Sequence, residues 1–242
     1  TIFKYRHIAK PYRYLPFYRH TMKIALTIFI TVLTITDYGQ LLQKQNPADF
    51  LPKGYIIFEK INGDLNKDGI EDCILVIKGT DTNKIVADEY RGKLDRNRRG
   101  IIVLFKSKDY YKLAVKNYDC FSSENEDGGV YYAPELSVEI KKGNLYINYA
   151  HGRYGYRGYT FRFQNSDFEL IGYDESDNHG PVINSETSIN FSTKKKLVKV
   201  NTNDNADSGE EVFKTTSKKI TIETFIKLSE IKDFDELDLS KY

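Results

Sequence analysis

From residue 55 onward the chain is a succession of short runs rich in β-branched and aromatic residues, separated by Gly, Asn, Asp and Ser. Runs of this length and composition form strands, and the polar breaks between them form turns. The pattern predicts strands at 55–60, 73–78, 101–105, 110–118, 136–141, 145–150, 159–164 and 168–173. The chain is therefore expected to be mainly β, with antiparallel sheets forming a sandwich or a partly open barrel.

Two turns indicate that neighbouring strands run antiparallel. Apolar and polar residues alternate on both sides of Gly143 in the segment 138–147, as they do in a tight hairpin. A second polar turn, 165–167, separates two aromatic runs. Further strands are expected at 188–191, 197–200 and 219–225, and the polar segment 201–211 is expected to be a loop. Apolar residues at helical spacing in 229–239 predict a short C-terminal helix.

The first 40 residues predict export. The single methionine, Met22, is followed by Lys23 and by an uncharged apolar run at 24–36. A membrane-spanning helix needs about 20 apolar residues, so this run suits the apolar helix of a signal peptide. A buried core strand or helix is the alternative. We expect 1–21 to be an upstream extension or artefact and 22–40 to be a signal peptide. Residues 41–242 would be a single β-rich domain, with a division near 130 as the alternative.

An exported chain would be periplasmic or extracellular, with no stable membrane span after export. Residues 1–40 hold six Lys and Arg and one Asp, so the remaining chain has 30 basic and 33 acidic residues. Nucleic-acid binding requires a basic surface, so no nucleic-acid partner is expected. In an oxidising compartment, Cys73 and Cys120 would form one disulfide, and two separate buried thiols are the alternative.

The sharpest motif is DLNKDGIED at residues 64–72. Oxygen-bearing side chains of Asp64, Asn66, Asp68 and Asp72 occupy positions 1, 3, 5 and 9, and Ile70 at position 7 offers its main-chain oxygen. Calcium prefers six to eight oxygen ligands, and a glycine at position 6 permits a sharp bend. The motif predicts a calcium site, with the side chain of Ile70 packed into the core. A plain Asp-Gly turn flanked by solvated acids is the alternative.

The D-x-N-x-D-G-x-x-D spacing resembles the strand-loop-strand calcium sites of FG-GAP and VCBS-type proteins. The likeness covers about residues 55–80, and position 12 is Leu75 where an EF-hand has a bidentate Glu. One such loop does not make a propeller, which repeats its blade several times. The resemblance implies a secreted bacterial β-protein with a calcium site, and it implies no activity. With three carboxylates and no bidentate Glu, the loop is expected to bind calcium with modest affinity and to order the neighbouring strands.

A second segment, 151–159, interleaves aromatic rings, guanidinium groups and glycines. Its candidate binding residues are His151, Arg153, Tyr154, Tyr156, Arg157 and Tyr159. Such side chains stack on sugar rings or peptides, so the segment predicts a site for an envelope glycan or a protein. A Gly-rich turn with outward-facing aromatic residues is the alternative.

No motif identifies a catalytic residue. The chain lacks the G-x-S-x-G, H-E-x-x-H and phosphate-loop patterns. The acidic segments 124–127 and 174–177, expected as loops, leave open a glycoside-hydrolase-like enzyme, and His179 is a candidate base. An inhibitor or immunity-type protein is a third interpretation. The favoured one is a non-enzymatic, calcium-stabilised exported protein that binds a partner.

Overall fold

The computed structural model describes residues 43–126 and 133–242, and most of the regular structure in them is β-strand. The strands are β1 (Gln43–Lys44), β2 (Tyr55–Gly63), β3 (Asp72–Gly79), β4 (Ile85–Asp88), β5 (Gly92–Asp95), β6 (Arg99–Ser107), β7 (Tyr110–Phe121), β8 (Glu135–Lys141), β9 (Asn144–Ala150), β10 (Gly155–Gln164), β11 (Asp167–His179), β12 (Val182–Asn190), β13 (Lys195–Asn201) and β14 (Phe213–Lys219). Helical structure in the described part consists of four short 3₁₀ turns, at Pro47–Phe50, Thr82–Lys84, Gly152–Tyr154 and Leu228–Glu230.

The strands form two main antiparallel sheets and a small hairpin. The first sheet has the order β1-β7-β6-β3-β2, and the second runs β14-β13-β12-β11-β10-β9-β8. The second sheet is a meander, because each of its strands pairs with its neighbour in the sequence. Strands β4 and β5 pair with each other. The prediction of a mainly β protein with antiparallel sheets is confirmed.

Tight turns set the register of the meander. Lys142 and Gly143, between β8 and β9, both have positive φ values, 54° and 71°. Asn165 and Ser166, between β10 and β11, have φ values of 51° and 64°. Two consecutive residues of this kind define the two-residue turn whose twist matches that of antiparallel strands. Both predicted hairpins are therefore present.

The main core lies between the two large sheets, and a smaller cluster covers the opposite face of the first sheet. Strand β3 contributes to both, because successive side chains of a strand point to opposite faces. Ile74 and Val76 belong to the main core, whereas Leu75 and Ile77 belong to the smaller cluster. Burial on both faces explains why β3 reads as a continuous apolar run rather than an alternating one.

The two cysteines lie in different clusters. Cys73 is in the smaller cluster and Cys120 in the main core, and both are buried free thiols. Burial raises the pKa of each thiol. The structure therefore has the second arrangement considered from the sequence, two separate thiols, rather than a disulfide.

The segment after β14 packs on the core without forming the predicted helix. Residues 229–239 contain turns and no α-helix, although Ile231 and Phe234 are buried. The ring of Phe234 stacks on Phe121, with centroids 5.2 Å apart, and meets Tyr159 edge-on at 5.0 Å. The helix prediction is wrong because each of these apolar side chains enters the core separately, so their spacing reflects core positions rather than a helical stripe.

A predicted strand at 219–225 is also displaced. The last strand, β14, ends at Lys219, and the buried Ile220 and Ile222 follow it in an irregular segment. The predicted upstream extension, 1–21, and signal peptide, 22–40, lie outside the described residues. Gln43–Tyr242 is one compact unit. No helix in the described part has the length and hydropathy that crossing a membrane requires.

Candidate functional site

The predicted calcium loop connects β2 to β3 at one end of the first sheet. The pair formed by Gly63 and Asp72 closes the hairpin, and residues 64–71 form the irregular connection. Lys67 and Gly69 have φ values of 63° and 83°, in the left-handed region. A Cβ added at Gly69 would meet no atom within 4 Å, so the backbone conformation is what favours glycine there.

The first part of the loop wraps around the carboxylate of Asp64. Its Oδ1 accepts hydrogen bonds from the amides of Lys67 and Asp68, at 2.6 and 3.2 Å, and its Oδ2 accepts one from Gly69 at 3.0 Å. These bonds satisfy three consecutive amides that lack strand partners. The side chain of Asp64 therefore determines the path of the loop.

Asn66 and Asp68 are exposed and hydrogen-bonded to each other. Nδ2 of Asn66 donates to Oδ2 of Asp68 at 2.9 Å. Oδ1 of Asn66 accepts from the amide of Asp68 at 3.0 Å, and Oδ1 of Asp68 accepts from the amide of Ile70 at 2.8 Å. Both side chains are therefore accessible to solvent.

Asp72 occupies a different environment beneath the loop. It is fully buried, and its Oδ2 and Oδ1 accept hydrogen bonds from the amides of Leu65 and Lys106, at 2.8 and 2.9 Å. Burial raises the pKa of Asp72, although these amides act in the opposite direction. Asp72 thus ties the loop to β6, the strand that contains Lys106.

The loop side chains have the oxygen chemistry of a calcium site, but their acids do not converge. Across residues 43–126 and 133–242, no group of three or more His, Cys, Asp or Glu side chains is placed to hold a metal ion. Each oxygen of a carboxylate has about two lone-pair directions, so an oxygen bound to one amide keeps capacity for a cation. Ile70 is only partly buried, and Leu65 is the loop residue that enters the core.

The loop also contacts the second sheet. A Cβ at Gly63 would lie 2.9 Å from Cβ of Ile140 in β8, so the two strands approach closely there. The side chain of Lys67 lies over Gly143, in the turn between β8 and β9, so a Cβ at that position would require Lys67 to move. An interaction that stabilises the conformation of the loop therefore also stabilises the contact between the two sheets.

The aromatic segment 151–159 does not form one continuous binding face. Arg153, Tyr154 and Tyr156 are exposed, whereas Tyr159 is 1 % exposed and belongs to the main core. Tyr156 and Arg157 are consecutive in β10 and therefore point to opposite faces. Tyr159 is removed from the candidate binding residues.

His151 and Arg157 lie on the inner side of this region and are half-buried. Burial lowers the pKa of His151, and the nearby Arg157 guanidinium lowers it further. The neutral imidazole is favoured there. The exposed part of the predicted binding segment is accordingly Arg153, Tyr154 and Tyr156.

The two acidic segments have different surroundings. Glu124 forms an ion pair with the buried Lys78, and Asp95 pairs with the same ammonium at 2.9 Å. Residues 174–177 lie within β11 rather than in a loop. Asp127 lies outside the described residues.

The charged cluster around Lys78 was not anticipated from the sequence. Lys78 and Arg99 are paired across β3 and β6, and they are only 6 % and 4 % exposed. Both cations lie over the ring of Phe58, at 5.9 and 5.4 Å from its centroid. The one local signal is a lysine near the end of an otherwise apolar strand, and the acids that pair with it come from the end of β5 and from the segment after β7.

Comparisons with protein-family models, with curated proteins and with solved structures return no match for this chain.

Proposed function

We propose that this chain is an exported β-protein in which residues 64–72 bind calcium and hold the two sheets together. The observation that carries the proposal is the concentration of oxygen donors in a loop that contacts β6 and the β8–β9 turn. The four side-chain ligands would be Asp64, Asn66, Asp68 and Asp72, which do not converge in this structure and would have to turn towards one ion on binding. Ile70 would contribute its main-chain oxygen.

The charge of the loop supports this proposal. Asp64, Asp68 and Asp72 form no ion pair with a Lys, Arg or His in the part of the chain that the structure describes. Asp72 is moreover buried, where an uncompensated negative charge is costly. A divalent cation would supply the missing positive charge, and its contribution would be to the stability of the fold.

The binding role rests on the exposed Arg153, Tyr154 and Tyr156. Tyr154 and Tyr156 expose 44 % and 43 % of their surface, so both rings are accessible to a partner. Exposed tyrosine rings beside a guanidinium suit a sugar ring or a peptide. We infer an envelope glycan or a protein as the partner of this surface.

The calcium proposal is tested by isothermal titration of calcium chloride into the full chain. We expect a Kd of about 10⁻⁴–10⁻³ M, the range of extracellular calcium modules. Calcium at ten times Kd would stabilise the fold by about 1.4 kcal/mol and raise the Tm by about 3–6 °C. Asp68→Asn should weaken binding at least about tenfold, because it removes one of few charged ligands.

The matched control is Asp109→Asn, which changes an exposed aspartate in the turn between β6 and β7. It should leave both the Kd and the calcium-dependent Tm unchanged. Magnesium chloride at equal ionic strength separates specific binding from screening. An absent heat signal together with an unchanged melting curve would refute the proposal.

A further inference from the structure

Five lysines surround one end of the β13–β14 hairpin. Lys194 is in the turn before β13, Lys195 and Lys196 begin β13, and Lys218 and Lys219 end β14. The register places Lys195 directly opposite Lys219 and Lys196 directly opposite Lys218. We call these five residues the lysine end.

Most of the positive charge of the lysine end has no acidic partner among the described residues. In the ranges 43–126 and 133–242, the ammonium groups of Lys194, Lys195, Lys218 and Lys219 form no ion pair with a carboxylate. Lys196 donates a hydrogen bond to the main-chain oxygen of Tyr242 at 3.1 Å, and the other four lysines are exposed. The chain beyond residue 40 has an excess of acidic residues, so this is a local concentration of positive charge.

Protection of a sheet edge accounts for only part of this arrangement. Lysines on an edge strand prevent association of that edge with another chain, which accounts for Lys218 and Lys219 on β14. Strand β13 is an interior strand of the sheet. Like charges directly opposite each other on adjacent strands destabilise a sheet, so Lys195 and Lys196 call for a different explanation.

The directions of the side chains identify the kind of surface that the lysine end fits. Neighbouring residues of a strand point to opposite faces, so Lys195 and Lys219 lie on one face of the sheet and Lys196 and Lys218 on the other. A linear polyanion along one face would contact only some of them. A plane across the end of the strands can contact all five, because lysine side chains are long and flexible.

The turn that carries these lysines is held in place. The ring of Phe191, which precedes the turn, is buried and meets the ring of Tyr242 edge-on, with centroids 5.1 Å apart. The amide of Ile220, just after β14, donates to the main-chain oxygen of Lys194 at 3.0 Å. The main chain around this turn is therefore already ordered, so binding requires little further ordering of the backbone.

We propose that the lysine end docks the protein onto an anionic phospholipid bilayer. Basic side chains near an anionic membrane are attracted to its headgroups, and the contributions of several lysines combine. The docking is electrostatic and peripheral, so it weakens as the salt concentration rises.

The proposal is tested by sedimentation of the full chain with vesicles of phosphatidylcholine, with and without phosphatidylglycerol. Binding is expected only to the vesicles that contain phosphatidylglycerol. The triple variant Lys194→Gln, Lys195→Gln, Lys219→Gln should bind these vesicles about 100-fold more weakly, or about fivefold for each lysine removed. The same three positions changed to Arg should retain binding, because the charge is kept.

A matched control removes three exposed lysines elsewhere, with Lys53→Gln, Lys93→Gln and Lys108→Gln. This control has the same net charge as the triple variant, and both variants keep the apolar run 24–36. A general effect of net charge or of that run would therefore act equally on the two variants, and equal losses of binding would overturn the proposal. Equal binding of the unaltered chain to neutral vesicles would overturn it as well. Binding to a short RNA duplex without binding to vesicles would replace the bilayer by a nucleic acid.

Discussion

The buried carboxylate of Asp72 gives the most direct test of how the loop is held. Asp72→Asn keeps the shape of the side chain but replaces one acceptor oxygen by an NH₂ group. Because Oδ1 and Oδ2 both accept main-chain amides, one amide must then face a donor instead of an acceptor. The loss of one charge-assisted hydrogen bond, together with a buried donor left unpaired, should lower the free energy of unfolding by about 2–3 kcal/mol.

The measurement is thermal and urea unfolding of the two proteins in the presence of a calcium chelator, so that the metal makes no contribution. For a chain of 242 residues, the expected loss corresponds to a Tm lower by about 4–12 °C. Asp109→Asn makes the same chemical change at an exposed position and should stay within about 0.5 kcal/mol of the unaltered protein. If Asp72→Asn unfolds at the same temperature as this control, the hydrogen bonds of Asp72 do not hold the loop.

Three further predictions follow from the charged cluster around Lys78 and from the packing of the core. Burial would raise the pKa of Asp95, but the ammonium of Lys78 and neighbouring hydrogen bonds lower it to about 2. The stability that Asp95 contributes is therefore present above its unfolded pKa of about 4 and is lost as the pH falls towards 2. After discounting for its 38 % exposed side chain, this is about 1 kcal/mol, measurable as a shrinking difference between the unaltered protein and Asp95→Asn in urea unfolding. Cys73 and Cys120 should not react with a thiol reagent in the native protein, and both should react in denaturant, because both are buried. Gly100→Ala should cost at least about 3 kcal/mol by chemical denaturation, because its Cβ would overlap a main-chain carbonyl of β7, and a loss below about 1 kcal/mol would contradict that geometry.

The strands that could be predicted from the sequence are those whose local pattern matches their burial. Strand β3 reads as a continuous apolar run because both of its faces are covered. The β8–β9 hairpin was predictable because alternation flanks a turn that contains Gly143. Strand β14 was missed, since its residues are exposed on both faces and it has no apolar pattern to detect.

The pairing of strands and the composition of the charged cluster could not be predicted in the same way. The pairings of β3 with β6 and of β1 with β7 join segments that are distant in the sequence. Because no tight turn connects these strands, the local sequence does not indicate that they pair. The polar segment 174–177 extends β11 because it is hydrogen-bonded to strands on both sides.

The residues of the calcium motif were identifiable from their spacing, but their hydrogen bonds were not. Asp72 accepts a hydrogen bond from the amide of Lys106, which comes from another strand. Calcium binding, export and the partner of the aromatic surface remain predictions.

The meander from β8 to β14 has a consequence for the rate and order of folding. Each of its strands finds its partner through a nearby turn, so every added strand closes only a short loop and loses little chain entropy. The five-stranded sheet must instead bring β1 to β7 across most of the first half of the domain. Structures with mainly local pairings form faster, so we expect the second half of the chain to acquire order first and to serve as the template on which the earlier strands assemble.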